Sequence, residues 1–319
     1  MSIGSRSVRA ARLVRHGDPL VVEAVALDEP GGDEVVVEMS YAGVNPVDRY
    51  AVLGRVAPDA PLPRTVGVEG VGTLDGRSVV VHGSGLGIQR DGTWAEAAVV
   101  PRPAVVDVPE GVDPVAAGAM GVAGVTAWRT VTDFAQVGPD DRVLVLGASG
   151  GVGSMIVTLV RSTGAVAWGQ TGREAMAGVI EARGATRAIV AGDGPALVEA
   201  ARVLRPTVVF DPLGADFTGA AVELLEPYGR LVLYGTSASP EGRVPFQALY
   251  RKNLRLLGYG GLMEPQEALR RGMEGALQAL RDGRLVVSVD EVLVLDEVND
   301  ALDRLARRRV SGKVVLALR

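Results

Sequence analysis

Residues 142–161 read RVLVLGASGGVGSMIVTLVR, and the fold turns on this stretch. No residue between the two arginines is charged. A membrane span needs about 20 apolar residues in one helix. Here Gly147, Gly150, Gly151 and Gly153 break the run. It divides into a strand VLVL, a loop GASGGVG and a helix SMIVTLV. Within the loop, Ala148-x-Gly150-x-x-Gly153 matches the dinucleotide fingerprint with Ala in its first position. A small first residue permits the tight turn. Gly150 lets backbone N–H groups approach a pyrophosphate, and Gly153 lets the helix pack close to the strand. Ser149, Gly151 and Val152 complete a loop whose backbone is bare at a helix N-terminus. Glycine-rich turns also end ordinary strands, so the flanking elements decide.

Those elements alternate. Strands are expected at 142–147, 165–170, 187–190, 207–211, 230–234 and 254–258, with helices at 151–163, 173–183, 195–204 and 216–225. Apolar strands alternating with helices indicate a parallel sheet covered on both faces, the doubly wound Rossmann pattern. The first third reads differently, as short β-branched runs at 20–26, 34–41, 65–74, 78–82 and 93–100, which suit a small antiparallel barrel or sandwich. A helix rich in small residues is expected over 115–132. The tail is mixed: helix 265–282, strand 291–295, helix 296–309, strand 313–318.

Composition narrows the function. The 319 residues are 47% hydrophobic and 22% charged, with net charge −5. This is a soluble globular profile, and its acidic balance argues against nucleic acid as a partner. There is no cysteine, so disulfides, catalytic thiols and thiolate zinc are excluded. The only histidines are His16, expected to be exposed at a turn, and His82, expected to be a satisfied structural residue. The opening MSIGSRSVRAARLVRHGDP has no apolar core of a signal peptide. The expectation is a cytoplasmic protein without a membrane segment.

The end of the second strand bears on the cofactor. NAD sites usually place Asp or Glu there for the ribose hydroxyls. This chain has Gln170-Thr171-Gly172-Arg173. Arg173 can pair with a 2′-phosphate, which favours NADPH, while Glu174 keeps NADH open. Read plainly, Arg173 is an exposed residue at a helix start.

Several stretches together resemble the medium-chain dehydrogenase/reductase superfamily, in its zinc-free quinone oxidoreductase (zeta-crystallin-like) branch: YAGVNPVDRY (41–50), VGVEGVGTL (66–74), GTWAEAAVV (92–100), GVAGVTAW (121–128), LGASGGVG (146–153), FDPLGA (210–215), YGRLVLYGT (228–236) and SGKVVL (311–316). They follow the family order across nearly the whole chain. The resemblance implies a GroES-like barrel domain over 1–117, a Rossmann domain over 118–261, and a segment 262–319 returning to the barrel domain, with the active site in the cleft between the two domains. Zinc-dependent members carry a cysteine about where Asn45 lies and a histidine where this chain has Val68. No metal is expected.

The resemblance also implies site residues. Tyr50 lines the substrate cavity and can donate to, or polarise, a developing enolate oxygen; alternatively it packs in the barrel. Asn45 can bond the substrate carbonyl or the nicotinamide ribose, or serve as a turn residue before Pro46. Glu69 is expected to be structural. Thr126 lies near the diphosphate or nicotinamide. Tyr234, Gly235 and Thr236 border the nicotinamide, and Leu257, Gly258 and Tyr259 contact its ribose or amide. Lys313 approaches a phosphate or caps the final strand. The expected function is hydride transfer from NADPH to a quinone or to the C=C of an α,β-unsaturated carbonyl, by a homodimer paired along the edge strand 254–258. A non-catalytic NADP(H)-binding structural or sensing protein is the alternative. Short-chain dehydrogenase chemistry is set aside, because no Tyr-x-x-x-Lys occurs.

Overall fold

The computed structural model describes residues 6–319; residues 1–5, part of the stretch read as lacking a signal core, lie outside the described residues. Contacts divide the chain into two units. The first holds Met1–Val125, Glu264–Arg281 and Val287–Arg319, and the second holds Thr126–Met263 and Asp282–Val286.

In the second unit six strands form one sheet: β1 (Arg142–Val145), β2 (Val166–Thr171), β3 (Arg187–Val190), β4 (Val208–Asp211), β5 (Arg230–Leu233) and β6 (Arg255–Gly258). Their order is β3-β2-β1-β4-β5-β6, and every pair is parallel. This is the Rossmann order, whose connections reverse direction between β1 and β4. Helices α1 (Gly151–Ser162), α2 (Ala177–Ala182), α3 (Gly194–Ala201) and α4 (Ala215–Leu224) follow the strands. The strands are short and apolar because helices cover them: Leu144, Val209, Phe210 and Leu231 are all but fully buried. Gly169 in β2 matters to this packing, since a Cβ there would meet Ile180 Cγ2 at 2.4 Å and Ala148 Cβ at 2.8 Å.

The first unit is a GroES-like β domain. Its larger sheet runs from Val289–Val294 through Lys313–Ala317, Glu34–Val44, Glu69–Leu74 and Arg77–His82 to Val105–Asp107, with Ala97–Pro101 also pairing with Glu34–Val44. A three-stranded sheet, Val21–Ala26, Ser7–Leu13 and Arg64–Thr65, lies beside it. Trp94, fully buried, sits in the core they share with Leu13, Met39, Val81 and Leu316. The helix Gln266–Arg281 is anchored here by two side chains: Gln266 Oε1 accepts from Ser84 N at 2.8 Å and its Nε2 donates to His82 O at 3.1 Å, and Arg270 Nη1 donates to Val105 O at 3.0 Å.

Four expectations change. Ser7–Leu13 is a strand that the sequence reading did not mark. The run at 65–74 is two strands, Arg64–Thr65 and Glu69–Leu74. Gly67 between them has φ +99°, and Val68 N bonds the Asp48 carboxylate at 3.1 Å instead of a strand partner. The helix expected over 115–132 is broken into Pro114–Ala117 and Ala123–Arg129. Backbone groups at the break are claimed from outside: Gly118 O accepts from Gly43 N at 2.8 Å, and Val122 N donates to Glu69. His16 is half-buried rather than exposed, with its Nε2 3.2 Å from Pro58 O. Among the described residues no helix is long and apolar enough to cross a membrane.

Candidate active site

The glycine loop leaves donors open. Gly147 turns with φ +60°, and its carbonyl accepts from Gly150 N at 3.0 Å. A Cβ on Gly153 would meet that carbonyl oxygen at 2.4 Å, so only glycine lets α1 start this close to β1. Gly150 precedes α1 in an extended conformation, and no side chain caps the helix. The first N–H groups of a helix have no intrahelical acceptor, so those of Gly151, Val152 and Gly153 face outward from an uncapped start. Partial positive charge gathers at the same point. Ala148, Ser149 and Val152 enter the turn through their backbone groups. The donor set fits a pyrophosphate.

The carboxyl ends of parallel strands lie along one edge, and several expected residues gather there. Thr171 is buried at the end of β2, Gly172 is exposed, and Arg173, half-buried, donates its backbone N–H to Thr171 Oγ1 at 3.2 Å. Tyr234, Gly235 and Thr236 follow β5. The Tyr234 hydroxyl is buried and finds no partner among the described residues, and burial, with Asp211 nearby, raises its pKa. Leu257 and Gly258 end β6, and the buried Tyr259 ring meets Phe134 edge-on at 5.3 Å. Thr126, also buried, lies in the helix Ala123–Arg129, and its carbonyl accepts from Thr130 Oγ1 at 2.7 Å. Asp211 is fully buried at the end of β4, where Leu213 N, Gly214 N and the Thr218 hydroxyl all donate to it.

In the first unit a second set of residues is closed on itself. Asn45, Glu69 and Lys313 are each at most 3% exposed. Lys313 Nζ donates to Asn45 Oδ1 at 2.5 Å, to Glu69 Oε1 at 2.9 Å and to Val44 O at 3.4 Å. Asn45 Nδ2 donates to Glu69 Oε1 at 2.7 Å, and Val122 N donates to Oε2. Burial alone would raise the Glu69 pKa; the Lys313 charge and these hydrogen bonds overturn that and hold the carboxyl below its usual range. Lys313 is thereby corrected: all three ammonium hydrogens are used inside this unit, and none is left for a phosphate. Asn45 is likewise bound through both ends of its amide.

Beside the cluster, Asp48 accepts from Asn45 N at 2.8 Å and Val68 N at 3.1 Å, and so fixes the NPVD turn. Burial and the adjacent Glu69 push its carboxyl up to about 7. The turn opens the helix Pro46–Val52, which carries a half-buried Tyr50. His82 Nδ1 lies 3.2 Å from Val68 O, and burial lowers its pKa. Among the described residues no group of three or more His, Asp or Glu is arranged to hold a metal ion.

Comparison with known proteins follows this geometry. A family model described as zinc-binding dehydrogenase matches residues 184–316. Quinone oxidoreductase-like protein 2 of Mus musculus is 28% identical, over 98% of this chain and 93% of its own. The mitochondrial enoyl-[acyl-carrier-protein] reductase of Xenopus tropicalis is 27% identical, over 98% and 96%. Among solved structures, an NAD-dependent alcohol dehydrogenase superposes with a TM-score of 0.86 at 27% identity, over 97% of this chain and 99% of that one. These matches make the chain similar to members of the medium-chain dehydrogenase/reductase superfamily, and to quinone oxidoreductases within it.

Proposed function

We propose that the protein is a zinc-independent, NADPH-dependent reductase of quinones or of the C=C bond of α,β-unsaturated carbonyl compounds. The observation that carries this reading is the Asn45–Glu69–Lys313 cluster. Where zinc-dependent members hold a metal ligand, this chain has an amide bound by an ammonium and a carboxylate, and the position beside Glu69 is Val68. Stabilising an alkoxide normally calls on a Lewis acid, whereas an activated acceptor needs only a hydride and a proton. The matched family model is named for zinc binding, but the chain has neither the cysteine nor the adjacent histidine for that role.

Bound at the glycine loop, NADPH supplies a hydride from its nicotinamide ring. The N–H groups of Gly151, Val152 and Gly153 hold its pyrophosphate, and Arg173 pairs with its 2′-phosphate. Tyr234, Gly235, Thr236, Leu257, Gly258 and Tyr259 border the nicotinamide half, with Thr126 near them. Tyr50 is the candidate proton source for the reduced acceptor. The balance is NADPH, one proton and the acceptor giving NADP⁺ and a hydroquinone or a saturated carbonyl. The chain works as a cytoplasmic homodimer joined along β6, an edge strand whose Leu256, with Phe246 and Tyr250 on the preceding helix, is exposed. Sedimentation giving only a monomer at micromolar concentration would refute that pairing.

Steady-state oxidation of NADPH against a panel of quinones and enones, in the presence of a chelator, tests the activity. Turnover of at least one class, with NADPH preferred to NADH, is the expected result. Arg173→Ala should narrow that preference by about tenfold or more, as expected for loss of a charge-assisted hydrogen bond. NADPH binding without reduction of any acceptor would instead favour a non-catalytic structural or sensing role.

A further inference from the structure

We infer that Gln170 is a positioning residue that sets the glycine loop for its ligand without touching it; this rests on the dinucleotide reading above. Gln170 is 2% exposed, at the end of β2, in a run of otherwise apolar or small residues. Its side chain turns inward, to backbone groups of Gly147 and Ala191. Its Oε1 accepts from Gly147 N at 2.9 Å, and its Nε2 donates to Ala191 O at 2.7 Å. Its own carbonyl accepts from Ala148 N at 2.9 Å. One residue therefore ties together the ends of β1, β2 and β3, and grips two consecutive residues of the loop.

The hold falls where it matters most. Gly147 is the left-handed residue of the turn, and its carbonyl is the atom that Gly150 bonds and Gly153 packs against. Fixing the Gly147 N–H therefore fixes the plane from which the open N–H groups of α1 are presented. Ordering them beforehand spares the ligand that cost when it binds. The chemistry demands a neutral amide. A carboxylate offers no donor to Ala191 O, and an aliphatic side chain leaves a buried N–H and a buried carbonyl unmet.

The test uses the full chain and NADPH as probe. Gln170→Met keeps the length and removes both hydrogen bonds. It should weaken NADPH binding about tenfold, the effect of losing roughly one net hydrogen bond of organisation. The KM for NADPH should rise accordingly, with kcat at saturating NADPH within about twofold of wild type by the same argument. In the cofactor-free protein, hydrogen exchange at the loop amides 147–153 should accelerate. Thr207→Val is the control, because it breaks the 2.7 Å bond to Asp141 at the far end of the same sheet. It should lower Tm and leave affinity unchanged. If Gln170→Met lowers Tm but leaves NADPH affinity and loop exchange unchanged, Gln170 is merely structural and the inference fails. If the wild type binds no dinucleotide, the proposed function fails, and loop exchange in the variant still decides whether the clamp exists. Should Gln170→Met not fold, Gln170→Ala, with room for water at both groups, is expected to lose the same affinity.

Discussion

At the start of α1 three backbone N–H groups stand without acceptors among the described residues, whereas in the β domain the three hydrogens of the Lys313 ammonium are all taken. Both places contain residues that a chemist would mark as functional. The loop is polar through its backbone and left open, which is what a bound anion requires. The cluster is polar through its side chains and satisfied internally, which is what burial of charge requires. Unmet capacity, more than residue type, separates a place that binds from a place that holds itself together.

Three perturbations test that contrast. The largest should come from Lys313→Met, which leaves the Glu69 carboxylate buried without its cation. A loss of about 3–5 kcal/mol is expected in denaturant unfolding, and the double variant with Glu69→Leu should recover much of it. A small effect in the single variant would mean that the cluster is not closed. Gly153→Ala comes next, because its Cβ would meet Gly147 O at 2.4 Å. Overpacking of this kind costs about 1–3 kcal/mol. Dinucleotide binding should fall further than stability does, since the displaced turn carries the donors. Unchanged affinity in a folded Gly153→Ala protein would contradict the cradle.

The last perturbation is one of pH. The Asp48 carboxyl is raised from its ordinary 3.8 to about 7 by burial and Glu69. Its proton is thus bound more tightly in the folded state. The stability it contributes is full below about 3.8 and is lost as pH rises through about 7. His82 acts in the opposite sense, because its lowered pKa gives stability above 6.5 that is lost on acidification. The difference in Tm between wild type and Asp48→Asn isolates the aspartate. It should shift against the wild type between pH 4 and 7 as the pH rises, and a flat difference would rule the effect out.

The Rossmann sheet was legible because its signals are local. Each strand is a short apolar run ended by a turn, and the glycine spacing lies within six residues. The β domain was read less completely. Ser7–Leu13 hides its alternation behind alanines and arginines, SVRAARL, which bury little surface per residue. The break near Gly118 depends on Gly43 and Glu69, which are remote in sequence. Lys313 was the clearest misreading: it lies 244 positions from Glu69, and no local pattern announces an ion pair across that distance. Gln170 did leave a trace, as the one amide in AVAWGQ, but a lone polar residue at a strand end does not say which way it faces.

The closed cluster also has a temporal side. The β domain draws on three stretches of chain, whereas the dinucleotide unit is almost one continuous stretch. During synthesis Glu69 leaves the ribosome long before Lys313 does. Its carboxylate must stay hydrated, and the strands around it incomplete, until Lys313 and its strand emerge. The dinucleotide unit needs only Asp282–Val286 beyond its main stretch and can form first. The strand that neutralises the first domain's buried charge is thus made 244 positions after the carboxylate it pairs with, so that domain closes only after the second unit has been synthesised.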